Sequence, residues 1–263
     1  MTKKAFAIGA HPDDIEFMMA GTLILLRQAG YETHYMTIAN GSCGTSQYDV
    51  ETITRIRRQE SIHAAEFAGA IYHESLVNDI EIFYEQGLLQ RLGATIREVA
   101  AEIILTHATV EYMEDHTNTC RLVLTAAFTR GMRNFPVEPA RPPVEQPVTI
   151  YHALPYGLRD PLRRPVQPEM YVDVTSVMRA KRQMLAQHRS QKEWLDASQG
   201  IDSYLLTMEE MCRDVGRLSG AYEYAEGWTR HLHLGYCDEG ANPLLAALPD
   251  RCLAPAPPPA TLT

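Results

Sequence analysis

Near the start of the chain, His11-Pro12-Asp13-Asp14 brings one imidazole and two carboxylates together within four residues. In a tight turn the pair His11 and Asp14, three apart, can face a common point, as two ligands of a borderline cation such as Zn²⁺ do. Asp13 lies between them and is free for another task, while Pro12 stiffens the turn by fixing φ. Asp-Asp alone ahead of a helix would read as a helix cap, with Pro12 near the helix start. The preceding residues argue for more than a cap. Ala5-Phe6-Ala7-Ile8-Gly9-Ala10 is a short uncharged run that reads as a buried parallel strand, and a helical pattern follows over 16–29. Open α/β sheets bind ligands outside the carboxyl ends of their strands, which is where these polar residues fall.

The same arrangement recurs further on. Glu102–Thr106 reads as another buried strand, followed by a loop from His107 to His116 and a helix over 117–130. Alone, His116 is a histidine at a helix start. Paired with the first loop at neighbouring strand ends of one sheet, it becomes a candidate metal ligand, with His107 as its competitor. Strands at 33–39 and 71–75 alternate with helices at 49–69 and 86–99, which predicts a parallel sheet with right-handed crossovers.

The run Ala-His-Pro-Asp-Asp-x-Glu over 10–16 resembles the signature of the PIG-L/LmbE-like family of zinc-dependent N-acetylglucosamine deacetylases. The resemblance implies a Rossmann-like α/β fold: an open, mainly parallel sheet with helices on both faces. It implies His11 and Asp14 as zinc ligands and Asp13 as general base. Asp115-His116 resembles the end of the family's His-x-Asp-His segment, which makes His116 the third ligand and Asp115 a supporting residue that orients His116 or a neighbour. Met113 stands where that segment has its first histidine, a group expected to stabilise the oxyanion or protonate the leaving amine. Methionine can do neither. His152, ending a strand over 148–152, is the reserve proton donor, and Asp13 carrying its acquired proton is the simplest one. Arg57-Arg58-Gln59-Glu60 resembles an Arg-x-x-Glu segment that puts Arg57 in the substrate pocket. Leu76-Val77-Asn78-Asp79 resembles a loop whose aspartate meets a sugar hydroxyl. Val-Asp-Val-Thr at 172–175 and His188-Arg189-Ser190-Gln191 resemble the family's C-terminal half and are expected to buttress the site.

The implied activity is a zinc-dependent hydrolase that removes an N-acetyl or other N-acyl group from an amino sugar or glycoconjugate, with a metal-activated water as nucleophile. The alternatives are a zinc amidase acting on a thiol-sugar or other non-sugar amide, and a catalytically silent metal- and carbohydrate-binding protein. A nucleotide-binding Rossmann domain is disfavoured, because G-x-G-x-x-G is missing after the first strand and two aspartates stand where phosphate would sit. The family resemblance also suggests a homo-oligomer.

The 263 residues, 45% hydrophobic and 22% charged, are ordinary for a soluble globular chain. A formal charge of −9 argues against nucleic acid or an anionic membrane as partner. No apolar run approaches the roughly 20 residues of a membrane span, and Met1-Thr2-Lys3-Lys4 leads straight into the first strand without a signal-peptide core. Five scattered cysteines show no C-x-x-C, so reduced thiols in a cytoplasm are expected. One domain is expected over 1–240 and a Pro-rich tail over 241–263. The Pro-rich segment 132–147 reads as a functional or disordered loop, with a lid as one use, and 222–227 as a further pocket-closing stretch.

Overall fold

The strand β1 (Lys4–Gly9) is apolar at every position from Ala5 to Ile8. Ala5 and Ala7 enter one buried apolar layer, and Phe6 and Ile8 enter the other. Side chains alternate faces along a strand, so such a strand needs helices on both sides of its sheet. The computed structural model describes residues 2–199 and 203–254. The strands β2 (Glu32–Thr37), β3 (Ile71–His73), β4 (Ile103–Thr106) and β5 (Thr149–Ala153) run parallel with β1. The strands β6 (Met170–Asp173), β7 (Ala225–Arg230) and β8 (Cys252–Leu253) extend the sheet through antiparallel pairings. The spatial order is β3-β2-β1-β4-β5-β7-β6-β8. This mostly parallel sheet is the architecture expected from the sequence. The short helix α1 (Asp14–Met18) follows β1 directly, ahead of the layers. One face is covered by α2 (Ala20–Gln28), α3 (Val50–Phe67), α6 (Met178–Leu185), α7 (Arg189–Gln199) and α8 (Ser203–Ser219). The other is covered by α4 (Gln86–Val99) and α5 (Glu114–Phe128).

From β1 the chain steps outward through β2 to β3, then crosses back to β4 on the other side of β1. The switch point therefore lies between β1 and β4, and a crevice opens there outside the strand ends. The loops carrying His11–Asp14 and His107–His116 leave those two strands.

Three expectations are corrected by tertiary contacts. The helix read over 16–29 is two helices, α1 and α2, broken at Met19 (φ −136°). The Glu226 carboxylate, on β7, accepts the backbone N–H of Gly21 at 2.8 Å and of Thr22 at 2.7 Å, so it caps α2 from across the domain. Lys181 is fully buried and pairs with that carboxylate. The second half of the stretch read as pocket-closing at 222–227 enters β7, inside the sheet. Residues 241–254, read as the start of a tail, fold back: α9 (Pro243–Ala247) is capped by Asn242, Leu244 is buried, and β8 pairs with β6. Residues 255–263 lie outside the described residues.

The Pro-rich segment 132–147 is no lid over the strand tips. It leads into the N-terminal end of β5, away from His11, and none of its residues lines the site cavity. Arg97 pins it from α4, donating to the carbonyls of Thr129, Met132, Phe135 and Arg141 at 2.9–3.2 Å. Replacing Arg97 by Ala should cost about 1–3 kcal/mol by orphaning partly buried carbonyls, read by denaturant unfolding, with kcat unchanged.

Candidate active site

Asp14 is the centre of the first loop. Its Oδ2 accepts the N–H of His11 at 2.7 Å and of Ala10 at 3.0 Å, folding the turn around the carboxylate. Oδ2 also lies 3.6 Å from His11 Nδ1, and Oδ1 lies 3.3 Å from His116 Nε2. One ligand-type atom from each of His11, Asp14 and His116 falls within 4.8 Å of the others. Burial disfavours the charged carboxylate, but the imidazoles of His116, His107 and His11 hold Asp14 well below the usual carboxylate range.

Each imidazole faces a second carboxylate. His11 Nε2 lies 2.9 Å from Asp115 Oδ2, which also accepts the Ile80 N–H at 2.7 Å. His116 Nδ1 lies 3.5 Å from Glu111 Oε2. With protons directed to those partners, His11 Nδ1 and His116 Nε2 present lone pairs on the Asp14 side. Two imidazoles and one carboxylate, with further carboxylates behind the two rings, form a donor set that suits Zn²⁺. Asp115 thus supports His11 rather than its sequence neighbour His116. Successive helical residues point about 100° apart, so the two side chains diverge.

Burial lowers the pKa of His11, but hydrogen bonds to Asp115 and Asp14 outweigh it and raise the group to about 10. Without metal, His11 therefore carries a second proton at pH 7, and a cation that takes its lone pair must displace it. Zinc binding at pH 7 should release a proton, and affinity should rise with pH until about 10. Calorimetry in buffers of different ionisation enthalpy checks both.

Asp13 projects from the same turn. Its backbone is left-handed (φ 109°), a strained setting for a non-glycine residue of the kind found at functional sites. Its Oδ2 accepts the Tyr204 hydroxyl at 2.7 Å and lies 3.6 Å from Arg57 Nη2. Burial pushes its pKa up and Arg57 opposes that. Arg57 is itself buried and donates to the Pro12 carbonyl at 2.5 Å. Its guanidinium runs over Gly41 and Gly44, where a Cβ would sit 2.4 and 2.1 Å from Arg57 atoms. Both Asp79 oxygens face this loop, accepting the N–H of Gly41 at 2.7 Å and Cys43 at 2.9 Å, while Ser42 Oγ accepts the Asp79 N–H at 3.0 Å.

These groups floor a cavity of about 480 Å³, which is within the range of small-molecule sites. His11, Asp13, Asp14, Arg57, Asp79 and His116 all line it, as does Met113. Tyr112, Tyr156 and Trp194 form an aromatic wall above them, with the Tyr112 and Tyr156 rings 5.8 Å apart. His152 is not brought to the cavity. Its Nδ1 donates to the His107 carbonyl at 2.8 Å, its Nε2 faces His231 Nδ1 at 3.0 Å, and burial pushes it down to about 4. A neutral ring turned away from the cavity does not supply the proton foreseen for it. Tyr204, Tyr156, Trp194 and Glu111 are cavity residues that the sequence alone does not single out. The segment around His188 does buttress the site: His188 Nε2 lies 3.1 Å from Glu16, and Ser190 donates twice to Glu60.

The fold and cavity define an open α/β protein with two histidines and one aspartate close enough to hold a cation at its topological switch point. Residues 6–127 match the model of the PIG-L family, described as GlcNAc-PI de-N-acetylase. It is 26% identical over 235 residues to the diacetylchitobiose deacetylase of Thermococcus kodakarensis, covering 86% of this chain and 82% of that protein. It is 25% identical over 183 residues to the 4-oxalmesaconate hydratase of Pseudomonas putida, covering 66% of this chain and 69% of that one. The N,N'-diacetylchitobiose deacetylase of Pyrococcus horikoshii, solved with its inhibitor MPG, shares the fold with a TM-score of 0.75 at 22% identity, over 92% of this chain and 88% of that one. Among the described residues no helix is long and apolar enough to cross a membrane.

Proposed function

We propose that this chain is a zinc-dependent N-deacetylase, an amide hydrolase acting on a C–N bond of a small N-acetylated amino sugar or glycoconjugate. The observation that carries this is the carboxylate of Asp13, strained into the cavity beside the His11–Asp14–His116 donor set and committed to no ligand role. A Zn²⁺ held by these three residues would supply Lewis acidity toward the acyl oxygen and acidify a water at neutral pH.

Asp13 is placed to take the proton from the attacking water. Tyr204 fixes one of its oxygens, and Arg57 favours the ionised form needed for this step. Once protonated, Asp13 is the donor available to the departing amine, since Met113 has no proton to give and His152 is turned away. The aromatic wall suits the C–H faces of a sugar ring. Asp79, whose oxygens still have lone pairs beyond the two loop amides, is the hydroxyl acceptor expected at the cavity edge. Homo-oligomer formation belongs to the same proposal, and light scattering reads it.

A second reading, hydration of an unsaturated acid, is favoured by the Pseudomonas relative and by Met113, because hydration has no leaving amine to protonate. A panel of N-acetylated amino sugars, including N-acetylglucosamine and diacetylchitobiose, assayed for free amine and acetate with the zinc-loaded protein, tests the proposal. Amine release supports it. Turnover confined to unsaturated acids would move the site to the second reading.

A further inference from the structure

Glu111 takes no part in the proton transfers above, yet it is among the most enclosed carboxylates of the described residues. Its side chain is 1% exposed, as is that of His107. Its Oε1 points to His107 Nδ1 at 3.9 Å and its Oε2 to His116 Nδ1 at 3.5 Å. The two rings stack with centroids 4.2 Å apart. Among the described residues neither Glu111 oxygen nor either Nδ1 has a partner within hydrogen-bond reach, so each faces only the others, at ion-pair distance. Buried polar groups rarely stand alone, so these four atoms answer one another.

Their protons can be assigned. The Ala10 N–H is shared between Asp14 Oδ2 at 3.0 Å and His107 Nε2 at 2.9 Å, and a ring that accepts it at Nε2 carries its proton on Nδ1, facing Glu111. His116 must present the Nε2 lone pair toward Asp14 to bind a cation, which puts its proton on Nδ1 too. Two N–H groups then meet one carboxylate with one oxygen each.

We propose that Glu111 is a positioning residue of the metal site, accepting Nδ1–H from both rings. It holds His116 in the tautomer that offers Nε2 to the cation. Through His107 and the Ala10 amide, it braces the backbone that carries His11 and Asp14. The assignment rests on the zinc reading of the site. His107, Glu111 and His116 are themselves close enough to hold a cation. The Ala10 N–H opposes that use, because a cation on His107 Nδ1 would require a ring stripped of both protons.

Glu111→Gln tests it. The amide keeps the shape but offers one acceptor and one donor, so one ring loses its partner. Zinc Kd, measured by competition with a chromophoric chelator, should rise about 10–100-fold with stoichiometry one per chain and little change in melting temperature. Glu111→Asp should recover part of the affinity. Imidazole ¹⁵N shifts of the metal-free protein should show Nδ1 protonated on both rings in the wild type and mixed tautomers in Glu111→Gln. Unchanged Kd and unchanged tautomers would overturn the assignment. So would two zinc ions per wild-type chain falling to one in the variant, which would make Glu111 a ligand. Wild-type protein that takes up no zinc would instead overturn the metal reading, and the metal-free ring shifts would still decide whether Glu111 holds both protons.

Discussion

Asp13→Asn should lower kcat by about 10²–10⁴-fold, the usual contribution of a positioned general base, while zinc content at saturating metal stays that of the wild type. The substitution is close to shape-neutral. Asparagine tolerates the left-handed backbone at position 13 (φ 109°) as aspartate does, and its amide can still meet Tyr204. What it removes is the basic oxygen beside the cation cluster. Steady-state kinetics with metal analysis on the same sample separates the two quantities. The pH profile adds a sign. Burial raises the Asp13 pKa, so the acid limb of kcat/KM should lie above the ordinary carboxylate range, and activity should fall as the pH drops through it. That limb should be missing from the residual activity of Asp13→Asn. Equal loss of turnover and zinc would instead place Asp13 among the ligands.

The second large effect is expected at His116. His116→Ala removes one of the three protein donors proposed for zinc and leaves Asp14 Oδ1 without the imidazole now 3.3 Å away. Zinc affinity should fall by more than the roughly 100-fold that marks loss of an outer partner, and turnover should fall with it. His152→Ala is the matched control. That ring is buried and bonded to the His107 carbonyl, outside the cavity lining, so it should lower stability while zinc affinity stays near wild type. Equilibrium dialysis with thermal unfolding distinguishes the two variants.

How much of this was legible in the chain depends on how local each feature is. His11, Asp13 and Asp14 sit on four consecutive residues behind a strand whose apolar run is unbroken, so strand, turn and proposed ligands are read together. His116 was legible because a second buried strand ends in the same kind of loop. Asp115 was recognised as support but not its partner, since His11 lies 104 residues away. Tyr204 is 191 residues from Asp13 and carries no local mark, being one apolar position on an amphipathic helix. The break between α1 and α2 is set by Glu226, over 200 residues away, against a local pattern that favours one continuous helix. Glu111 was hidden among Glu114 and Asp115, where an acid reads as loop polarity until the two rings beside it are seen. The prolines at 132–147 suggested a lid, but one buried arginine on another helix decides where that loop lies.

The most direct measurement is a zinc anomalous-difference map from crystals of the wild-type protein loaded with one equivalent of metal. The account predicts a single peak about 2.0–2.2 Å from His11 Nδ1, an Asp14 oxygen and His116 Nε2, with Asp13 unligated beside it. A peak seated instead among His107 Nδ1, Glu111 and His116 Nδ1, or none in the crevice between β1 and β4, would contradict it.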